Sequence, residues 1–349
     1  MSSRVTSDNH RCAGCAGVPA LPPRLAPGDT LAVCTPSGPG APIAAERFAR
    51  GVRWLERAGF DVRVGGQAHA TGYAAGSARE RAEELNTALR DPEVRGIVTA
   101  IGGYNANGVL PYLDFAALAD RPRVLLGYSD VTALLLAAYA CSNVVTFHGP
   151  TLMPELAEYP APLPYTEASL LGTLCRPDPP GGLTAPRAWT EELLRWDSED
   201  VRPRRMREHP GWRWLSGGTG TGRLVGGNLD TLCALLGTPY APCLRGAVLF
   251  WESCAESIAV IDRGLCQLDA AGGTAGLAGM VVGRSFRRGE EFERDLRALV
   301  TERYAGRGFP VLAGVDIGHT DPMLTLPVGV RARLDSGSPA FEVMDRAVR

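Results

Sequence analysis

Val124-Leu125-Leu126-Gly127-Tyr128-Ser129-Asp130-Val131-Thr132-Ala133-Leu134-Leu135-Leu136 is an apolar run of strand type that ends at a glycine and restarts as a helix-forming segment. Strand, tight turn and helix follow one another, with Ser129 at the turn. A serine held there projects its hydroxyl from the end of a buried strand, next to the free N–H groups that open the following helix. Those N–H groups carry partial positive charge and are suited to hold a developing oxyanion. A helix-capping serine has the same local signature, so the rest of the chain must supply a base and a pocket.

Working outward from Ser129, strands and helices alternate. Upstream, residues 30–34 read as a strand that ends at a Pro/Gly loop, 35–40, which continues neither a strand nor a helix. Residues 46–58 read as an amphipathic helix with Phe48, Val52 and Leu55 on one face, and 60–64 as an alternating strand. Residues 77–90 form a helix opened by a capping box, Ser77 with Glu80, and 94–101 a buried strand. The loop Gly102-Gly103-Tyr104-Asn105-Ala106-Asn107-Gly108 comes next, then a helix-like stretch, 109–115. Downstream, 144–147 is one more strand, before His148. This alternation predicts a parallel sheet covered on both faces. Ligands of such sheets bind outside the carboxyl ends of the strands, the edge that carries both Ser129 and the glycine loop.

Residues 151–220 change character. Prolines cluster at 160, 162, 164, 177, 179 and 180, and charged stretches alternate with Trp189, Trp196, Trp212 and Trp214. A long irregular segment of this kind is expected to connect two domains and to hang over the site. A second α/β pattern starts at Gly222. Helices are predicted over 229–236, 257–270 and 290–304, and strands over 247–251 (ending at Glu252), 280–283 and 310–315 (leading to Asp316-Ile317-Gly318-His319). Leu324, Leu326, Val328, Val330, Ala332 and Leu334 alternate and read as antiparallel strands that finish this domain.

At 349 residues the chain is expected to form two domains. Residues 1–20 read as a flexible tail, 21–155 as the domain carrying the nucleophile, 156–220 as linker and lid, and 221–345 as a C-terminal domain. A net charge of −2 makes no electrostatic case for nucleic acid or an anionic membrane as partner. No apolar run approaches the ~20 residues of a membrane span and no signal peptide is visible, so a cytoplasmic location is expected. Nine cysteines are an odd, scattered set. Cys12 and Cys15 lack the further ligands that a zinc site needs, since His10 alone does not supply them, and no metal is expected. Cys34, Cys141, Cys233 and Cys266 sit in apolar contexts and are expected to be buried free thiols in a reducing compartment. The glycine loop lacks G-x-G-x-x-G, so no dinucleotide cofactor is implied. Val131 occupies the place of the last glycine of G-x-S-x-G, which disfavours an α/β-hydrolase.

A serine nucleophile needs a base, and the base needs an orienting acid. Of five histidines, His10 lies in the tail, His69 and His209 in polar loops, and His148 and His319 each follow a strand. Gly318 beside His319 leaves room for a substrate. Glu252 ends another strand, so Ser129, Glu252 and His319 all fall at strand ends. Each also has a plain structural reading, as helix cap, arginine partner and hydrogen-bonded ring.

In combination, Gly102–Gly108, Gly127-Tyr128-Ser129-Asp130, Gly226-Gly227-Asn228, Phe250-Trp251-Glu252 and Gly318-His319 resemble the successive motifs of the serine LD-carboxypeptidase family, over roughly residues 20–345. The resemblance implies a homodimeric two-domain enzyme without metal. Its expected architecture is an N-terminal flavodoxin-like parallel-sheet α/β domain, plus a C-terminal α/β domain with a mixed sheet or barrel-like strands. Carried over by motif, Ser129 would be the nucleophile, His319 the general base, Glu252 its orienting acid, and the amides of Gly103 and Asp130 the oxyanion hole. Residues 104–108 resemble the microcin C immunity branch more than the murein-recycling branch, which removes a terminal D-alanine from murein tetrapeptide. That implies a small peptide or peptidyl-nucleotide substrate, bound by Tyr104, Asn105 and Asn228, with Trp189 or Trp212 as a stacking platform for a base. Murein tetrapeptide, acyl transfer to an amine and ligand binding without hydrolysis are the alternatives. Ser253 after Glu252, where the family usually carries another acid, bears on substrate choice more than on the triad.

Overall fold

The computed structural model describes residues 17–349. His10 and the Cys12/Cys15 pair lie outside the described residues. The first half builds β1 (Thr30–Cys34), α1 (Ala45–Arg57), β2 (Asp61–Val64), α2 (Ala78–Arg90), β3 (Val94–Thr99), α3 (Phe115–Asp120), β4 (Val124–Gly127), α4 (Thr132–Ser142) and β5 (Thr146–His148). Its strands pair in parallel in the order β2-β1-β3-β4-β5, the doubly wound arrangement whose ligand crevice lies at the carboxyl ends of the strands. The capping box of α2 forms as expected: Ser77 Oγ accepts from the Glu80 amide and Glu80 Oε2 from the Ser77 amide. The predicted helix over 109–115 is instead a 3₁₀ segment, Ala106–Tyr112, containing Pro111. That proline removes an N–H an α-helix would need. Every residue of α4 except Cys141 is buried. Its apolar run shows no amphipathic period because it packs against the first sheet on one side and the second half of the chain on the other.

The connecting segment is more ordered than its prolines suggest. A π-turn, Leu152–Leu156, is followed by α5 (Pro164–Cys175). Pro164 sits in the first turn of α5, where a missing N–H is harmless. The chain then forms β6 (Gly181–Leu183), β7 (Ala188–Trp189), β8 (Arg207–Glu208), β9 (Arg213–Ser216), β10 (Thr219–Asn228), α6 (Leu229–Leu235), β11 (Val248–Glu252), α7 (Ile258–Ala270), β12 (Gly279–Gly283), α8 (Gly289–Tyr304), β13 (Val311–Val315), β14 (Leu326–Val328), β15 (Arg331–Asp335) and β16 (Ala340–Val343). An eight-stranded mixed sheet runs β6-β16-β15-β10-β11-β12-β13-β9, parallel from β10 to β13. The alternating tail divides. β15 and β16 extend this second sheet, as expected, while β14 crosses to the first sheet and pairs antiparallel with β5, Leu326 opposite His148. A period of two defines a strand and says nothing of its partner.

One continuous apolar cluster takes in Val33 and Leu126 of the first sheet and Val225, Phe250 and Val281 of the second. Together with β14, it fixes the carboxyl edges of the two sheets against each other. Cys34 is buried as expected, but Cys233 is only half-buried and Cys141 and Cys266 are exposed. Their helices turn those faces outward. Cys243, by contrast, is disulfide-bonded. No helix among the described residues is long and apolar enough to cross a membrane.

Candidate active site

Ser129 sits directly beyond β4 with φ of 60°, a backbone region that non-glycine residues seldom occupy. The turn is held from both sides. A Cβ on Gly127 would stand 2.7 Å from Val131 Cγ1, and one on Gly102 would stand 2.9 Å from Ser129 Cβ. Both positions therefore need glycine for close approach. The Asp130 carboxylate accepts from the Ala106 amide at 2.8 Å and from Ser37 Oγ. Arg81 donates to the carbonyls of Pro36 and Asn105. These contacts fasten the glycine loop beside Ser129, with Gly102 against the turn whose next amide is that of Asp130 and Gly103 against Ser37 and Gly38.

The second half brings two more groups to this point. His319 Nε2 lies 3.1 Å from Ser129 Oγ, and its Nδ1 lies 2.7 Å from Glu252 Oε2. The other oxygen of Glu252 accepts from Asn228 Nδ2 at 3.1 Å. The Asn228 amide in turn donates to Thr132 Oγ1 at 2.9 Å, at the head of α4. Asn228 thus bridges α4, which follows Ser129, and Glu252, which holds His319. Glu252 is fully buried, enclosed by two glycines: a Cβ on Gly283 would be 2.6 Å from Glu252 Cβ, and one on Gly318 2.9 Å from it. The expectation that Gly318 leaves room for substrate is corrected here, because Glu252 fills that space. His148 Nε2 donates to the Ile317 carbonyl at 2.6 Å and steadies the turn leading to His319; burial pushes the His148 ring toward neutrality.

Burial opposes charge on His319, but the charge and hydrogen bond of Glu252, aided by the adjacent Cys254 thiol, outweigh it and hold the ring's pKa well above the usual imidazole range. Burial would likewise raise Glu252, and His319 brings it below the usual carboxylate value instead. Behind them, Tyr128 packs 4.9 Å from the His319 ring and donates to Glu155 Oε1 at 2.6 Å. Glu155 is pushed up to about 8 by burial and by the charge of Asp321.

A cavity of about 620 Å³ opens over Ser129 and His319. Tyr104 stands at its mouth, 90% exposed, and Asn228 lines it with a side chain already engaged by Glu252 and Thr231. Asn107 lines it where Asn105 was expected; Asn105 meets Arg81 through its carbonyl instead. The two expected stacking residues are also elsewhere. Trp189 packs under the Arg284 guanidinium at 4.3 Å, and Trp212 Nε1 donates to Asp316 Oδ2 at 2.8 Å. The tryptophan on the cavity is Trp196, with Arg47 4.7 Å above its ring. Nothing in the local sequence separates Trp196 from the other three. No group of three or more His, Cys, Asp or Glu placed to hold a metal occurs among the described residues.

Family models of the LD-carboxypeptidase N-terminal and C-terminal domains match residues 31–149 and 221–334. A putative carboxypeptidase of Vibrio cholerae is 36% identical over 93% of this chain and 98% of its own. The microcin C7 self-immunity protein MccF of Escherichia coli is 36% identical over 94% and 96%. A probable murein peptide carboxypeptidase of Bacillus subtilis is 30% identical over 90% and 91%. Among solved structures, MccF with glutamyl sulfamoyl guanosine superposes with a TM-score of 0.86, and MccF with aspartyl sulfamoyl adenosine with 0.87. Both are 32% identical and cover 95% of this chain and all of theirs. A further MccF structure, of an active-site mutant, alters a serine, an asparagine and a lysine.

Proposed function

The chain belongs to the LD-carboxypeptidase family of serine-type peptidases, and from that premise we propose that it hydrolyses the amide-type bond of small peptidyl- or aminoacyl-nucleotide conjugates. The observation that carries the reading is the continuous relay from Ser129 Oγ through His319 to Glu252, at 3.1 and 2.7 Å, beneath a cavity large enough for such a conjugate. The similarity to MccF supports this substrate class and a role in resistance to an antibiotic of that kind.

In this mechanism Ser129 Oγ attacks the carbonyl while His319 Nε2 takes its proton, and Glu252 steadies the imidazolium through Nδ1. The amides of Asp130 and Gly103 hold the tetrahedral oxyanion. His319 then returns the proton to the leaving nitrogen, and water, activated by the same ring, releases the acyl group from Ser129. Trp196, rather than Trp189 or Trp212, is the aromatic platform for a base, and Tyr104 closes the mouth. Asn228 acts by holding Glu252. The enzyme works as a homodimer, a reading supported by the family resemblance and checked by sedimentation; the cytoplasmic location expected from the sequence is checked by fractionation of the producing cell.

Mass spectrometry of incubations with aminoacyl-sulfamoyl adenosine and with murein tetrapeptide tests the substrate class. Release of sulfamoyl adenosine, abolished by Ser129→Ala, is expected. Cleavage of tetrapeptide alone moves the enzyme to murein recycling, and acylation of an added amine in place of water makes it a transferase.

A further inference from the structure

The charge balance of the Ser129 cavity carries one more inference, which rests on the conjugate-hydrolase reading above. Eight carboxyl groups, of which Glu155 is pushed toward its neutral form, and two guanidinium groups line the cavity. Neither guanidinium is free. Arg47 pairs with Glu158 at 3.2 Å and Asp200 at 2.7 Å, and also donates to the Met153 and Pro154 carbonyls. Arg204 pairs with Glu158 at 2.9 Å and Asp321 at 2.8 Å. The chain contains no lysine at all, whereas the altered active-site residues of MccF include one. The His319 ring, the other cationic group on the cavity, is paired with Glu252 at 2.7 Å, so among the described residues no unpaired cation is left in the cavity to receive a carboxylate from the substrate.

The carboxylates do not balance in the same way. Asp130, Glu155 and Glu192 are each taken up by hydrogen bonds or arginines, as are the partners of Arg47 and Arg204. Glu256 and Asp230 have no hydrogen bond or ion pair among the described residues; the opposing charge that acts on Asp230 is that of Arg263, which does not line the cavity. Both lie on the elements that carry the relay. Asp230 is two residues beyond Asn228, in the first turn of α6, and Glu256 is on the loop that follows Glu252. Complementary potential is what discriminates charged ligands in a cleft of this kind.

We propose that this enzyme is selective for conjugates with a cationic acyl group, such as a basic aminoacyl residue, with Glu256 the specificity-determining carboxylate and Asp230 reinforcing it. An acidic acyl group, as in the conjugates bound to MccF, meets unpaired carboxylates and no counter-charge. Murein tetrapeptide, with its free terminal carboxylate, is disfavoured on the same ground.

Binding to the Ser129→Ala protein, which needs no turnover, is measured by calorimetry with lysyl-, alanyl- and glutamyl-sulfamoyl adenosine, while the wild type is assayed for hydrolysis of the same three. The lysyl conjugate is expected to bind about fivefold tighter than the alanyl and the glutamyl about fivefold weaker, the upper scale of a solvent-screened charge pair. Glu256→Gln in the Ser129→Ala background should remove most of the gap between lysyl and alanyl affinities, leaving the smaller part that Asp230 supplies, and Glu256→Lys should reverse the order. Equal binding of the three, a preference for glutamyl, or no binding of any of them overturns the proposal. If the lysyl preference is seen but the wild type hydrolyses no conjugate, charge selectivity stands and the hydrolase reading falls. If all three are hydrolysed and bound alike, the hydrolase reading stands and selectivity falls.

Discussion

Glu252→Gln tests the relay most sharply, because the structure dictates how the new amide must lie. Asn228 Oδ1 accepts from the Thr231 amide at 3.2 Å and from Thr231 Oγ1 at 3.0 Å, so its Nδ2 is the atom that faces position 252. A glutamine there must present its oxygen to Asn228 and its NH₂ to His319 Nδ1. The ring then accepts at Nδ1 and carries its proton on Nε2, facing Ser129 Oγ, and a protonated Nε2 cannot take the serine proton. A tautomer fault of this kind costs about 10⁴-fold in turnover, roughly 5.5 kcal/mol of transition-state stabilisation. The substitution is isosteric and leaves no buried charge, so the melting temperature should change little. Adding Asn228→Asp offers the introduced amide a carboxylate on the side away from the ring, turns its NH₂ that way and returns an oxygen to His319 Nδ1. The double variant should then recover at least about tenfold over Glu252→Gln, a coupling between neighbours that independent sites do not show. Release of sulfamoyl adenosine followed by chromatography gives kcat/KM for the three proteins, with a circular-dichroism melt as the check on folding. A Glu252→Gln enzyme within tenfold of wild type, or a double variant no faster than the single, would show that Glu252 does not set the tautomer of His319.

Because Glu252 and Cys254 hold the His319 pKa well above its usual value, and catalysis needs the neutral ring, kcat/KM should fall as pH drops, with a midpoint above about 6.5. That midpoint should move down in Glu252→Gln. Glu155, held at about 8 by burial and Asp321, binds a proton more tightly in the folded than in the unfolded chain. Its contribution to stability is full below about pH 4.5 and is lost as pH rises to about 8, on the order of a few kcal/mol. Glu155→Gln should flatten the wild-type decline in melting temperature across that window; an unchanged pH dependence would mean that Glu155 is ionised in the fold.

The sequence alone determined the local elements wherever one physical signal dominated. The β4–Ser129–α4 passage was legible because a buried strand, a glycine and a helix start leave a serine one place to point. The α2 capping box was legible because its two reciprocal hydrogen bonds lie within one turn. The strand ends carrying Glu252 and His319 were legible too, and the order of motifs named the family. What only the tertiary structure decided was every relation between distant segments. The alternation of residues 324–334 could not say that Leu326–Val328 leaves its neighbours to pair with β5. That crossing, along with the shared core, is what brings His319 within reach of Ser129, 190 residues away. Four tryptophans in a proline-rich segment were equivalent as sequence. Only the placement of Trp189 under Arg284, Trp212 on Asp316 and Trp196 under Arg47 distinguished them. Asn228 was readable as a ligand-binding amide, but only the structure shows that it lines the cavity while held among Thr132, Thr231 and Glu252. Gly318 was readable as space for substrate, yet Glu252 occupies that space. Backbone preference and capping act over a few residues and are written in order along the chain, whereas pairing of charges and enclosure of a side chain depend on which distant surfaces meet.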